Sequence, residues 1–116
     1  MLDEASFRKH ADAALESLKR SLIEAEEASD FETEEQNGVL NVVFEEPPGK
    51  FVITPNTPVR QIWISALSTS FKLEWSDGRQ AFVLPKTGEG LKQVVEGAIN
   101  QHLSMNPGHP GAVSLH

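Results

Sequence analysis

The residues of this chain best suited to chemistry are the carboxylates crowded between positions 24 and 35: Glu24, Glu26, Glu27, Asp30, Glu32, Glu34 and Glu35. Carboxylate oxygens are hard ligands, suited to iron, manganese, calcium or magnesium. Held close together, they raise one another's proton affinity until a cation relieves the repulsion. The default reading of such a run is a solvated, solubilising face. One detail argues for use. Glu24, Glu26 and Glu27 fall at the end of a helical pattern, where the helix dipole is already negative and carboxylates are disfavoured.

Other chemistry is missing. The chain has no glycine-rich phosphate loop, no nucleophile elbow and no zinc-type spacing. His10, His102, His109 and His116 are scattered, and no Ser, His and Asp arrangement stands out. With no cysteine, the protein can form neither a disulfide nor a thiolate metal site, and can carry neither a persulfide nor a sulfur-ligated cluster. Hydrolytic or group-transfer catalysis is not expected.

The elements that must position the carboxylates follow from periodicity. From Asp3 to about Ala28, the residues Phe7, Ala11, Ala14, Leu15, Leu18, Leu22 and Ala25 recur at three- and four-residue steps and form one helix face. Asp12, Glu16, Arg20 and Glu27 fall opposite, with Ile23 an apolar exception among them. Between residues 30 and 84 the pattern shortens to β-type runs, expected near 31–36, 39–45, 50–54, 60–66, 71–75 and 80–84. Asn37-Gly38 and Asp77-Gly78 suit tight type I′ hairpins, and Pro47-Pro48-Gly49 marks a further reversal.

Alternation places Leu40, Val42 and Phe44 on one side of the second strand and Val39, Asn41 and Val43 on the other. In the fourth strand Ile62, Ile64 and Ala66 point one way, and Gln61, Trp63 and Ser65 the other. If the aliphatic set meets the helices, Trp63 lies on the open face. Trp75 reads as core or rim packing. A second helix runs from about Glu89 to Leu103, with Thr87 or Gly88 near its start. Two terminal helices and a hairpin-linked sheet give an α+β, two-layer sandwich with both helices on one face of about six antiparallel strands. One domain is expected over residues 1–104, with residues 105–116, rich in Pro and Gly, read as a flexible tail.

All of the net charge of −7 lies in the first 35 residues, where eleven acids oppose four bases; the remainder balances six against six. That field attracts cations and basic surfaces and repels phosphate backbones and anionic lipids, so neither nucleic acid nor membrane is an expected partner. No apolar run approaches a membrane span or a signal peptide, so the expected location is cytoplasmic.

These residues resemble the frataxin family in its bacterial form. The most specific stretch is Thr54-Pro55-Asn56-Thr57-Pro58-Val59-Arg60-Gln61-Ile62-Trp63-Ile64-Ser65. It is similar to the family's pattern of a proline, two variable residues, Gln, Ile or Val, and Trp. Phe7, His10-Ala11-Asp12, Leu15, Asn37-Gly38-Val39-Leu40 and the closing amphipathic helix support it, over about residues 5 to 103. Two departures stand out. Thr54 and Asn56 occupy positions where many relatives carry Asn and Gln, and Ser68-Thr69-Ser70 lacks the glycine common after the tryptophan strand, so that loop is expected to differ.

The resemblance implies weak binding of ferrous and ferric iron (Fe2+/Fe3+) through an acidic ridge of the first helix and first strand. By position, Glu16, Glu24, Glu27, Asp30, Glu32 and Glu34 belong to that ridge, with Asp12 and Glu26 near it. Lys19 and Arg20 dilute its middle, which moves the expected iron site toward residues 24–35. Gln61, Trp63, Asn56 and Ser65 belong to the sheet surface that meets a cysteine desulfurase and its iron–sulfur scaffold protein. The implied role is an iron-binding accessory protein of iron–sulfur cluster assembly, a monomer able to oligomerise with iron. Two rivals stand beside it: a metal-independent regulator of the desulfurase, and a ferroxidase, which would need closely paired carboxylates that the sequence does not make evident.

Overall fold

The structure is a computed structural model, and it describes residues 2–27, 29–45, 48–104 and 113–115. Helix α1 (Glu4–Glu26) is followed by strands β1 (Phe31–Gln36), β2 (Val39–Glu45), β3 (Pro48–Asn56), β4 (Gln61–Ala66), β5 (Thr69–Ser76) and β6 (Ala81–Val83), and then by helix α2 (Leu91–Leu103). The six strands form one antiparallel meander in chain order. This is the expected α+β sandwich, with both helices packed on one face of the sheet.

The burial pattern explains why these segments settle as they do. Phe7, Ala11, Leu15, Leu18 and Leu22 of α1 are buried, whereas Ile23, on the opposite side, is 42% exposed. Leu40, Val42, Phe51, Ile53, Ile62 and Ile64 meet Val95, Ile99 and Leu103 of α2 in one continuous core. Burying a single such side chain contributes about 1.5–3 kcal/mol, so the stripe that covers the sheet, rather than helix propensity, holds each helix in place. Phe7 and Phe82 lock the far edge with an edge-to-face contact at 5.7 Å. On the other edge the His102 ring lies on Phe44 at 4.2 Å. Gly49 is required beneath that ring, since a Cβ there would stand 2.5 Å from His102 Cε1.

Several boundaries differ from expectation, each for a local reason. Asn37 and Gly38 both take positive φ, as a two-residue hairpin turn demands. Asp77-Gly78 does not form such a turn. Ser76 pairs with Ala81, leaving a four-residue loop in which Gln80, not Gly78, is left-handed. Asp77 is occupied otherwise: its Oδ1 accepts from Trp75 Nε1 at 2.9 Å and its carbonyl from Gln80 Nε2 at 2.7 Å. The β4–β5 turn, where no glycine stands, nevertheless forms a tight hairpin with Leu67 and Ser68 at φ 54° and 61°.

Strand β3 is longer than expected and includes Pro55, tolerated because pairing with β2 extends only to Ile53. A single 3-10 turn at Thr57–Val59, with Arg60 left-handed after it, delays β4 to Gln61. Helix α2 starts at Leu91 rather than Glu89, because residues 84–90 first fold back on β6. Leu84 N donates to Glu89 O at 2.9 Å, and Val83 bridges Gly90. Gln93 then closes the helix start by accepting from Gly90 N at 2.9 Å.

Part of the expected reversal at residues 47–49 and most of the expected tail lie outside the described residues. Within the tail, Val113 is 4% exposed. Its N–H and C=O are both taken by the Asn100 side chain, at 2.6 and 3.0 Å, and Leu115 N donates to Glu96 Oε1 at 2.8 Å. Val113–Leu115 are therefore held on α2, against the reading of the whole tail as flexible.

Candidate functional site

The acidic edge is built where α1 ends and β1 begins. β1 runs back alongside α1, tied to it at two points two helical turns apart. Lys19 Nζ pairs with Glu35 Oε1 at 3.0 Å, and Glu26 Oε2 accepts from Thr33 N at 2.7 Å. Glu26 thus covers a backbone donor on the sheet's edge strand, which would otherwise be open to another chain. Glu35 faces the helix side and is neutralised there. The register of β1 with β2, Glu32 opposite Val43 and Glu34 opposite Asn41, puts Glu32 and Glu34 together on the open face.

The expected ridge residues therefore fall into separate groups. Glu16 is exposed two turns back on α1 and pairs with Arg20 at 3.5 Å. Asp12 is exposed further back still. Glu24, Glu27, Asp30, Glu32 and Glu34 are all exposed, and among the described residues none of these five has an ion-pair partner. Asp30 and Glu32 line a shallow concavity together with Glu26, Ser29, Phe31, Val43 and Glu45. Glu45 is a carboxylate the sequence reading missed. The signal was available: the Asn37-Gly38 turn fixes a hairpin in which Phe31 opposes Phe44, so Glu45 falls beside the start of β1.

Among the described residues no three of His, Cys, Asp or Glu come close enough together to cage a metal. The edge offers dispersed oxygen ligands, an arrangement suited to several weak cation contacts rather than one tight site. The end of α1 also carries no basic residue in its last turn, so the helix dipole there is unopposed.

The second surface is the sheet face away from the helices. Trp63, half-buried, lies on it as expected, between Thr54 of β3 and Lys72 of β5. Asn56 pairs with Gln61, and exposed Ser65 lies opposite Val52 and Ser70. Half-buried Val39, Val43 and Val52 complete an apolar centre within a polar frame, the composition of a protein contact surface. Trp75 is on the other side of the sheet, stacked on His10 at 4.1 Å and meeting Phe82 edge-on at 5.2 Å, which is the rim packing expected of it. No helix among the described residues is long and apolar enough to cross a membrane.

Comparison with known proteins agrees with this geometry. A protein from Pseudomonas fluorescens (strain Pf0-1) named iron-sulfur cluster assembly protein CyaY is 27% identical over 100 residues, 86% of this chain and 88% of the relative. One of the same name from Ralstonia nicotianae is 29% identical over 102 residues, with the same coverage. Among solved structures, frataxin from Psychromonas ingrahamii superposes with a TM-score of 0.76 at 17% identity, covering 97% of both chains. Yeast frataxin gives 0.68 at 24% identity over 88% of this chain and 84% of its own. The model of the frataxin-like domain matches residues 1–105, and the chain belongs to the frataxin family.

Proposed function

We propose that this protein is an accessory factor of iron–sulfur cluster assembly, which carries ferrous or ferric iron weakly on its acidic edge and docks through its open sheet face on a cysteine desulfurase and its scaffold. The observation that carries the reading is the set of five exposed carboxylates without an ion-pair partner among the described residues: Glu24, Glu27 and Asp30 at and just after a helix end that disfavours them, and Glu32 and Glu34 on the strand that follows. A stabilising sequence would place bases there. The names of the curated relatives support the process. The lack of cysteine supports the division of labour, because a thiolate-held cluster must sit on the partner. Iron is cargo in this reading. Dispersed monodentate carboxylates release it readily, as delivery or sensing requires.

The absence of a three-ligand cluster among the described residues favours a second reading, in which the same edge docks on a basic patch of the desulfurase without metal. One variant separates them: Glu24, Glu27, Glu32 and Glu34 all changed to Gln. If iron is the cargo, anaerobic NMR titration with ferrous iron shifts residues 24–35 in the parent and not in the variant. Desulfurase binding lost equally in metal chelator assigns the edge to docking. Shifts confined to the histidines overturn the iron assignment.

A further inference from the structure

The open face holds a side-chain relay that extends beyond the docking residues named above. Gln61 lies directly opposite Glu74, and Trp63 directly opposite Lys72, two rungs apart on the β4–β5 ladder and so on the same face, with the Ile62–Leu73 pair between them facing the helices. Trp63 Nε1 donates to Gln61 Oε1 at 2.8 Å, and the nitrogen of the same amide donates to Glu74 Oε2 at 3.0 Å. The two ends fix the middle. An indole nitrogen can only donate and an ionised carboxylate can only accept, so only one of the two orientations of the Gln61 amide satisfies both. Lys72 Nζ stands over the Trp63 ring, 4.9 Å from its centroid, and braces that face by a cation–π contact.

We infer that Glu74 is a positioning residue for the Trp63 docking surface: it sets the direction of the Gln61 amide and, through it, the rotamer in which the indole is presented to the partner. The inference rests on the proposed docking role of the open face. An exposed glutamate ordinarily counts for little; this one matters through the hydrogen-bond polarity it imposes on a neighbour. The register that aligns the relay is set by the Leu67-Ser68 hairpin, whose two residues are both left-handed. Pre-ordering one large side chain changes a dissociation constant by roughly 2- to 12-fold.

The test needs the indole signal first and the partner second. The full chain gives an indole N–H resonance for each of Trp63 and Trp75, the latter bonded to Asp77 at 2.9 Å, and Trp75→Phe assigns them. Glu74→Ala is expected to move the Trp63 resonance and speed its exchange with water while leaving that of Trp75 in place. Gln61→Glu, which sets two carboxylates face to face, is expected to do the same. The double exchange Gln61→Glu with Glu74→Gln reverses the amide and returns the Trp63 resonance, because the indole again has an acceptor held by a donor. A purely structural role for the Glu74 side chain would not be rescued this way.

In titrations with the desulfurase–scaffold complex, Glu74→Ala is expected to weaken binding roughly 2- to 12-fold, and Trp63→Ala to weaken it further. An unmoved Trp63 resonance in Glu74→Ala, or no return in the double exchange, overturns the positioning role whatever binding shows. If Trp63→Ala binds with full affinity, the docking reading falls and the positioning role with it, while the spectra still report separately whether the relay exists.

Discussion

Neighbouring carboxylates at the end of α1 have different duties, although the sequence shows them as one run. Glu26 is half-buried and accepts a backbone hydrogen bond from Thr33, whereas Glu24 projects into water. Losing a charged acceptor costs about 1.5–3 kcal/mol, offset by roughly 0.3–1 kcal/mol when a negative charge leaves a helix C-terminus. Glu26→Ala is therefore expected to lower the unfolding free energy by about 1 kcal/mol in urea titration. Glu24→Ala should leave it unchanged or raise it slightly. Asp3 behaves differently again. Its Oδ1 caps α1 by accepting from Ser6 N at 2.7 Å, and that bond to the backbone, helped by the Ser6 side chain, holds its carboxyl below the ordinary value of 3.8. A lowered folded pKa stabilises fully above the unfolded value and is lost as pH falls through the folded one. Asp3→Asn keeps an acceptor but removes the titration, so melting temperature should fall less steeply below pH 3.8 in the variant than in the parent.

At the scale of elements, turns decide which strand positions meet. The helix stripes, the alternation of β2 and β4 and the Asn37-Gly38 hairpin were legible because they rest on periodicity and on a backbone conformation that glycine and asparagine favour. The Leu67-Ser68 hairpin was not, since neither residue favours positive φ. A left-handed residue with a side chain costs roughly 1–2 kcal/mol, and here strand pairing on both sides over-determines it. Ser68 is exposed, so Ser68→Gly should remove that strain without loss of packing and stabilise the fold by about 1 kcal/mol, read as a higher urea midpoint at unchanged m. Leu67 is a poorer site for the same change, because it packs against the core. The Asp77-Gly78 expectation failed for the converse reason. Asp77 is drawn into hydrogen bonds with Trp75 and Gln80, and these hold a longer loop.

For the molecule as a whole, charge and packing divide along the chain. The acidic excess sits at one edge, the core runs between the helices and the sheet, and the segment Val113–Leu115 closes over α2. Val113→Ala should lower the unfolding free energy by about 2 kcal/mol in equilibrium urea unfolding, since the side chain is buried in the core cluster. A loss of less than about 0.5 kcal/mol, the size of an ordinary surface change, would show that the segment is not held there. Composition could not reveal this anchor. A stretch rich in proline and glycine has no period, and its partner, Asn100, looks like any polar residue on the outer face of a helix.

By itself, the sequence determined the two-layer α+β order, the side of the sheet on which Trp63 and Gln61 lie, the acidic bias of the first helix and strand, and the exclusion of thiolate chemistry. Periods of 3.6 and 2 encode which face a residue takes, and residue type encodes what it can ligate. Only the tertiary structure decided which carboxylates remain free. It turned Glu26 and Glu35 to structural work, brought Glu45 beside Asp30 and Glu32, and set Glu74 opposite Gln61. Those pairings depend on cross-strand register and on how α1 lies along β1. Register is fixed by turns and by the packing of distant segments, so no local pattern carries it.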